Sequence, residues 1–298
     1  MAYRFAVATM KTTRVNPAIL STQLLALLER IPNRAGKEDV HWLRTTVRRL
    51  EVQLPGAPAR IAKSLKALRR KAGKVRDIDV HLALLKPPLL PQPAAPRGDG
   101  PALSAAGLEG AQQELQQLLK ARRARHLVSL RHRVSEAAPL LAASLPGLLA
   151  GATREQAKAG DALRQTALAR QHFLQWTHVL PADAARLHRL RIQTKKLRYS
   201  LEPFELHPEA AELAAKFKQV QDAIGSWHDW ATLLQFARRA LKSPDAALLR
   251  AALRARAASQ HRQARHAVQS VRSALNGGKP AASETSAEPP QRMIKKAG

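Results

Sequence analysis

Residues 187–204 combine two stripes of opposite chemistry at the spacing of an α-helix. At about 100° per residue, one stripe is basic and carries His188, Arg191, Lys195 and Arg198. The opposite stripe is largely apolar and carries Leu190, Thr194, Leu197, Leu201 and Phe204. Surface helices usually mix the signs of their charges, because like charges one turn apart repel, yet no acid occurs from 188 to 198. We therefore predict a helix that buries one stripe and presents the other to an anion.

The same pattern occurs 147 positions earlier in the chain, counted from His41 to His188. The earlier basic residues match His188, Arg191, Lys195 and Lys196 in register, and they are His41, Arg44, Arg48 and Arg49. The earlier apolar stripe contains Leu43, Val47, Leu50 and Leu54. The two basic stripes differ in basic character only at the position of Arg198, which is occupied by Glu51 in the earlier segment. Because both stripes match together, the two segments predict an internal duplication.

A second motif follows each of these helices and extends the duplication. Without gaps, Leu65, Lys66, Leu68, Gly73, Arg76 and Asp77 align with Phe217, Lys218, Val220, Gly225, His228 and Asp229. Each half is therefore predicted to contain four helices, and about 130 residues are enough for one bundle core. Two pseudo-symmetric four-helix bundles, side by side, would bring both basic stripes to a shared central cleft.

Strand signals are nearly missing, and the predicted fold class is all-α. Ala, Leu, Arg, Gln, Lys and Glu dominate the sequence, without runs of β-branched residues. Periodicity predicts helices at 17–30, 36–53, 58–85, 107–133, 154–177, 183–203, 209–240 and 246–275. A shorter helical piece at 136–149 is predicted to be interrupted by Pro139 and Pro146.

Two segments rich in proline and glycine are predicted to lie outside the helices. Residues 86–110 contain six prolines and are predicted to form an exposed loop within the first half. Residues 276–298 are predicted to form a disordered tail. The predicted domain spans 16–275 after an N-terminal extension at 1–15, with its first half at 16–133 and its second half at 150–275.

The charge balance predicts an anionic partner. The 298 residues include 50 Lys and Arg against 22 Asp and Glu, a formal net charge of +28. A charge of this size attracts nucleic acid, phosphate polymers or an anionic membrane surface. The lack of Cys excludes disulfides and thiolate sites, and no apolar run suffices for a signal peptide or a membrane span. We therefore expect a cytoplasmic protein without a membrane partner.

Together, these motifs resemble those of the CHAD family, the conserved-histidine α-helical domain. The resemblance rests on residues 40–50, 73–79, 187–199 and 225–229, and it covers roughly 17–275. It implies two helical bundles related by pseudo-symmetry around a basic channel. It also implies binding of inorganic polyphosphate and targeting to polyphosphate granules, here by a stand-alone member without an N-terminal triphosphate-tunnel domain.

If polyphosphate is the ligand, as the resemblance implies, the basic residues are its expected contacts. Arg offers bidentate forks to phosphate oxygens and Lys offers a point charge. The predicted direct contacts are Arg44, Arg48, Arg49, Arg191, Lys195, Lys196 and Arg198. Predicted secondary contacts are Lys66, Arg69, Arg70 and Lys218, with Tyr199 as a hydroxyl donor. Weaker candidates, which would otherwise form a solvated basic face, are Arg122, Arg123, Arg125, Arg262 and Arg265.

Three roles are open for His41 and His188. Nearby phosphates would favour the imidazolium, which could donate to phosphate or hold a neighbouring arginine. Burial would instead leave a neutral imidazole bonded to a backbone carbonyl. Metal ligation is disfavoured, because no His-x-x-x-His with an associated acid occurs, although the sequence does group Asp77, Asp79, His81, His228 and Asp229. No metal or other cofactor is predicted.

Asp77 and Asp229 are predicted to form ion pairs that position Arg76 or another basic residue. An enzyme acting on phosphate polymers would need a metal-binding acid cluster or a phosphate-cradling glycine loop, and neither is visible. The predicted function is therefore non-enzymatic binding. Two alternatives stay open: weak, non-specific nucleic-acid binding, although aromatic residues are only 4%, and a metal-dependent polyphosphate-processing enzyme. The oligomeric state is also open.

Overall fold

The computed structural model describes residues 17–54, 56–86, 105–150, 159–181, 183–244 and 246–277 as an all-α protein. The helices are α1 (Pro17–Arg30), α2 (Lys37–Gln53), α3 (Ala59–Leu84), α4 (Ala105–Ala150), α5 (Ala159–Trp176), α6 (Ala184–Leu201), α7 (Pro208–Ala240) and α8 (Ala246–Leu275). A 3-10 turn, Glu202–Phe204, follows α6. No strand occurs within these ranges, so the predicted fold class is confirmed. No helix in the same ranges is long and apolar enough to cross a membrane.

Most predicted helix ends agree with the observed ones within two residues. The start of α4, Ala105, lies two residues before the predicted start at 107, so the loop predicted at 86–110 extends too far. This part of the segment has no proline, and Leu108 packs against a buried apolar cluster. The start predicted for α5, the N-terminal extension, most of the predicted loop and nearly all of the predicted tail lie outside the described residues.

Helix α4 also continues through Pro139 and Pro146, so the predicted interruption is wrong. Proline removes one backbone donor and displaces the carbonyl four residues before it. Here both prolines are exposed, as are Ser135 and Ala142, which carry those carbonyls. Water can hydrate the displaced groups, while Leu141 on the opposite side stays buried in the core.

Buried side chains form three clusters. The first contains α1, α2, α3 and the C-terminal part of α4, around Leu43 and Leu65. The second contains α5, α6, α7 and the C-terminal part of α8, where the rings of Phe173 and Phe217 lie 5.1 Å apart. The third joins the ends of α3 and α7 to the starts of α4 and α8. The first cluster combines the predicted first half with residues 134–145 beyond it, and the second lies within the predicted second half. The third cluster was not predicted, and the pseudo-symmetry stays a prediction.

Carboxylates fix the starts of α2 and α6, the helices that carry the basic stripes. Asp183 accepts a hydrogen bond from the backbone N–H of Arg186 at 2.7 Å. Asp39 accepts one from the backbone N–H of Gly36 at 3.0 Å and pairs with Arg30 at 3.2 Å. Both carboxylates also place negative charge at the positive end of a helix dipole.

The apolar stripes decide how α2 and α6 are rotated about their axes. The buried residues of α6 are Leu187 and four members of the predicted stripe, Leu190, Thr194, Leu197 and Leu201. The fifth member, Phe204, follows α6 and is only partly buried. Those of α2 include Leu43, Val47 and Leu50. Burying one leucine contributes about 1.5–3 kcal/mol, so a rotation that exposed either stripe would be costly. The basic stripes consequently face away from the two cores.

Candidate anion-binding site

Five basic side chains of α2 and α6 lie together, and we call them the basic cluster: Arg44, Arg48, Arg191, Lys195 and Arg198. Burial, followed by the charges of the four arginines, lowers the pKa of Lys195 from 10.5 to about 6. Burial and then Arg48 also lower the pKa of Arg44. The two stripes therefore converge in space, close enough for their repulsion to oppose protonation of a lysine.

Tyr199 connects the two helices within this cluster. Its hydroxyl accepts a hydrogen bond from Nη1 of Arg48 at 3.2 Å. The guanidinium of Arg198 lies over the same ring, 4.5 Å from its centre, in a cation–π contact. One tyrosine thus holds an arginine from each helix, and its own O–H can still donate to a ligand.

Most of this positive charge has no counter-ion from the protein. Arg198 is the exception, because it pairs with Glu202 at 3.3 Å and its Nε donates to Gln221 at 3.3 Å. The other four members form no ion pair within the described part of the chain. Assembling cations without counter-ions costs stability, which an anionic ligand would recover.

Two carboxylates from aligned positions, Asp77 and Asp229, lie beside the basic cluster. Burial raises the pKa of Asp229 to about 6, and the charge of Asp77 adds to the rise against the opposing effect of Arg191. Neither forms an ion pair with a residue that the structure describes, so the predicted ion pairs are wrong. The buried Asp79 pairs instead with Arg123 at 2.6 Å.

Beyond these carboxylates lies a pocket of about 440 Å³ between α3, α4 and α7. Its basic lining consists of Lys74, Arg122, His126 and Arg239, alongside both aspartates. Within it, Nε2 of His81 lies 3.1 Å from the hydroxyl of Thr232, and burial lowers the pKa of His81 to about 4. The pocket therefore continues the basic region past the carboxylates, with neutral imidazole on its wall.

Comparisons with known proteins agree with this architecture. The family model of the CHAD domain matches residues 18–238. The chain belongs to the CHAD domain family. A crystal structure of the CHAD domain from the plant Ricinus communis superimposes with a TM-score of 0.53 at 23% sequence identity, covering 89% of this chain and 91% of that one; it supports the fold alone. A search of curated proteins gave no significant match.

The two histidines of the basic stripes differ in their surroundings within this CHAD domain. Burial and then Arg76 lower the pKa of His41, which favours its neutral ring when no anion is bound. The ring of His188 lies 5.1 Å from that of His228. Burial, then Arg191 and His188, lower the pKa of His228 to about 4. Neither stripe histidine forms a hydrogen bond with a described residue, so the carbonyl partner of the neutral-imidazole alternative is not seen.

Several predicted contacts are already paired with acids. Arg69 pairs with Glu51 at 2.5 Å, the residue that interrupts the first basic stripe. Lys218 pairs with Asp222 at 2.6 Å on an exposed face of α7. Arg49 lies near Glu202. Burial raises the pKa of Glu202, and the charges of Arg198 and Arg49 oppose that rise. The other predicted contacts are exposed and make no described contact with the basic cluster: Lys66, Arg70, Lys196, Arg125, Arg262 and Arg265.

The sequence analysis named Arg122 as a weaker candidate but missed Lys74, His126 and Arg239 of the pocket and the position of His228 beside the cluster. His228 aligns with Arg76 in the repeat, so its place beside the cluster had a signal in the alignment. No sequence signal indicated that Lys74 and Arg239 line the pocket, because their neighbours there come from other helices. No group of three or more metal-ligating side chains occurs in the described ranges.

Proposed function

We propose that this CHAD domain binds inorganic polyphosphate along the basic cluster. The supporting observation is that Arg44, Arg48, Arg191 and Lys195 converge from two aligned helices without acidic partners among the described residues. Polyphosphate is a flexible chain of anionic tetrahedra without bases. It can place oxygens against each cation in turn and needs no aromatic platform.

The arginines and the lysine of the cluster would bind phosphate in different ways. Arginines present planar forks that match two phosphate oxygens at once. Burial, and then four neighbouring arginines, lower the pKa of Lys195 to about 6, so Lys195 would take up a proton as the anion neutralises those arginines. The cluster therefore becomes fully charged only when its ligand is present.

The proposed role is non-enzymatic, as a cytoplasmic targeting or accessory module at polyphosphate granules. Asp77 and Asp229 are carboxylates beside the cluster that pair with none of its members, and we assign them no catalytic step. Two carboxylates beside several arginines repel phosphate and limit its advance rather than activate water. This assignment is open to direct measurement of orthophosphate release.

The test is a calorimetric titration with long-chain polyphosphate at about 0.15 M salt, where the Debye length is near 8 Å. The test variant combines Arg191→Ala, Lys195→Ala and Arg198→Ala. A matched control removes the same charge from exposed positions elsewhere, as Arg60→Ala, Arg164→Ala and Arg254→Ala. We expect the first variant to lose at least about a hundredfold in affinity and the control to lose only a few-fold, because only distant charge is removed.

The same titration with duplex DNA separates specific binding from general attraction to a +28 protein. Equal affinity for both polymers, with equal losses in both variants, would leave only non-specific polyanion binding. Orthophosphate release in the presence of Mg²⁺ or Mn²⁺, abolished by Asp77→Asn or Asp229→Asn, would instead identify an enzyme and refute the non-enzymatic role.

A further inference from the structure

Gly73 and Gly225 are buried within α3 and α7 at aligned positions of the repeat. A glycine inside a helix destabilises it by about 1 kcal/mol relative to alanine. Both have negative φ, since the only positive-φ glycine in the described ranges is Gly277. Backbone conformation therefore does not require glycine at either position, and the reason must lie in what approaches it.

What approaches each glycine is the central arginine of the facing basic stripe. A Cβ at Gly73 would lie 3.4 Å from Nε of Arg44. A Cβ at Gly225 would lie 3.6 Å from Nη2 and 3.7 Å from Nε of Arg191. Aligned glycines thus meet aligned arginines in both halves, and each guanidinium lies almost against a helix backbone.

The exposure of individual nitrogens shows how these arginines are held. The Nε atoms of Arg44 and Arg191 are inaccessible to water and have no hydrogen-bond partner. The terminal nitrogens of both form no hydrogen bond with described residues either, yet they are not among the buried atoms. Each guanidinium is therefore embedded by its Nε edge, whereas its terminal donors are not fully buried and form no hydrogen bond with a described residue.

We propose that Gly73 and Gly225 are positioning residues for anion binding, each holding one guanidinium edge-on against a helix so that its terminal nitrogens meet phosphate. The identity of the anion rests on the proposed function, whereas the arrangement of the arginines does not. A free arginine side chain loses rotamer entropy worth about 2 kcal/mol when a ligand immobilises it. Arginines ordered in advance avoid much of that loss.

Leucine at either glycine tests the proposal. Because Nε has no accessible space around it, a leucine fits only if the guanidinium moves away. We expect Gly73→Leu and Gly225→Leu each to weaken binding of long-chain polyphosphate about tenfold. The effect should match that of Arg44→Ala or Arg191→Ala in the same half.

A double-mutant cycle distinguishes positioning from a general structural effect. If Gly73 acts through Arg44, then Gly73→Leu combined with Arg44→Ala should bind no more weakly than Arg44→Ala alone. Losses that add in full, or a leucine variant with wild-type affinity, would overturn the proposal.

Alanine variants cover the case in which leucine prevents folding. At 3.4 Å, Gly73→Ala must shift Arg44 slightly and should lower affinity about two- to threefold, whereas 3.6 Å at Gly225 is an ordinary contact. Both should raise the melting temperature, as Gly110→Ala and Gly147→Ala should in α4, where a Cβ meets nothing within 4 Å. If Gly73→Ala equals these controls in both affinity and stability, the proposal is wrong.

A ligand-free measurement separates this proposal from the proposed function. Hydrogen exchange of side-chain Nε–H groups, followed by NMR, should show slow exchange for Arg44 and Arg191. Gly73→Leu and Gly225→Leu should accelerate it, each in its own half. Fast exchange in the wild type would refute the positioning, while slow exchange in a protein that does not bind polyphosphate would refute the function alone.

Discussion

Replacing Lys195 by methionine should stabilise the free protein and weaken its binding of polyphosphate. Burial, and then the charges of four arginines, lower the pKa of this lysine from 10.5 to about 6. Methionine has a similar length and carries no charge, so it removes the repulsion and keeps the packing. Stability and affinity should therefore change in opposite directions.

Proton linkage gives the size of the effect. Between pH 7 and the unfolded pKa of 10.5, each pH unit corresponds to about 1.4 kcal/mol, which limits the cost of this lysine to about 5 kcal/mol. Water around the partly exposed side chain screens much of the repulsion. We expect Lys195→Met to raise the free energy of unfolding by about 2 kcal/mol and the melting temperature by about 4–8 °C.

The sign of the pH dependence adds a second check. From pH 6 to 10.5 the unfolded lysine binds a proton that the folded one lacks, so the stability of the wild type rises with pH in this window. The advantage of Lys195→Met should be largest near pH 6 and vanish near pH 10.5.

Urea unfolding at several pH values measures this difference, and Lys196→Met, exposed on the same helix, serves as the control. The control should change stability by less than about 0.5 kcal/mol. In polyphosphate titrations, Lys195→Met should reduce the dependence of log K on log salt by about 0.7–0.9. Loss of stability in Lys195→Met, or the same change in both variants, would refute the reasoning.

Three further predictions follow from the charged groups. Polyphosphate affinity should rise as the pH falls from about 8 to about 5. Lys195 and Asp229 both have a pKa of about 6, so they gain protons over this range and the site becomes more favourable for an anion. Calorimetry in two buffers would measure the proton uptake on binding, and proton release would contradict the prediction. Asp229→Asn should raise affinity at pH 8 about three- to tenfold, whereas Asp161→Asn, exposed on α5, should change it little; equal effects would argue against a local role. Asp79→Ala should cost about 3–5 kcal/mol in urea unfolding, because it leaves Arg123 without its partner; an unchanged midpoint would show that the pair is not stabilising.

The helices could be predicted because hydrophobic spacing is a local signal. On α6 the stripe from Leu190 to Leu201 is buried as predicted, since its spacing alone decides which face packs. The length of α4 could not be predicted this way. Proline is a strong local breaker, and Pro139 and Pro146 are tolerated only because they lie on the exposed side of a helix packed on its other side.

The site could be predicted only where the internal repeat indicated which residues occupy equivalent positions in the two halves. Matching stripes placed Arg44 and Arg191 in equivalent positions, and the structure brings them together. The presence of Lys or Arg at a position did not show whether that side chain would have an acidic partner. Arg69 has the same chemistry as Arg44, but Glu51 pairs with it, and that pairing depends on how α2 lies against α3.

The aspartates show most clearly what local pattern leaves undecided. Asp77 and Asp79 are two residues apart in α3, about 200° around the helix, so they must face different surroundings. Asp79 meets Arg123 of α4 and forms a buried pair. Asp77 interacts instead with Asp229 of the second half and with Arg44 of the first basic stripe. The repeat could place Asp77 and Asp229 at equivalent positions, but it could not show that they lie beside each other, because that depends on how α3 packs against α7. Unpaired carboxylates next to unpaired cations respond to an anion by exchanging protons, which is why we expect ligand binding and pH to be linked in this domain.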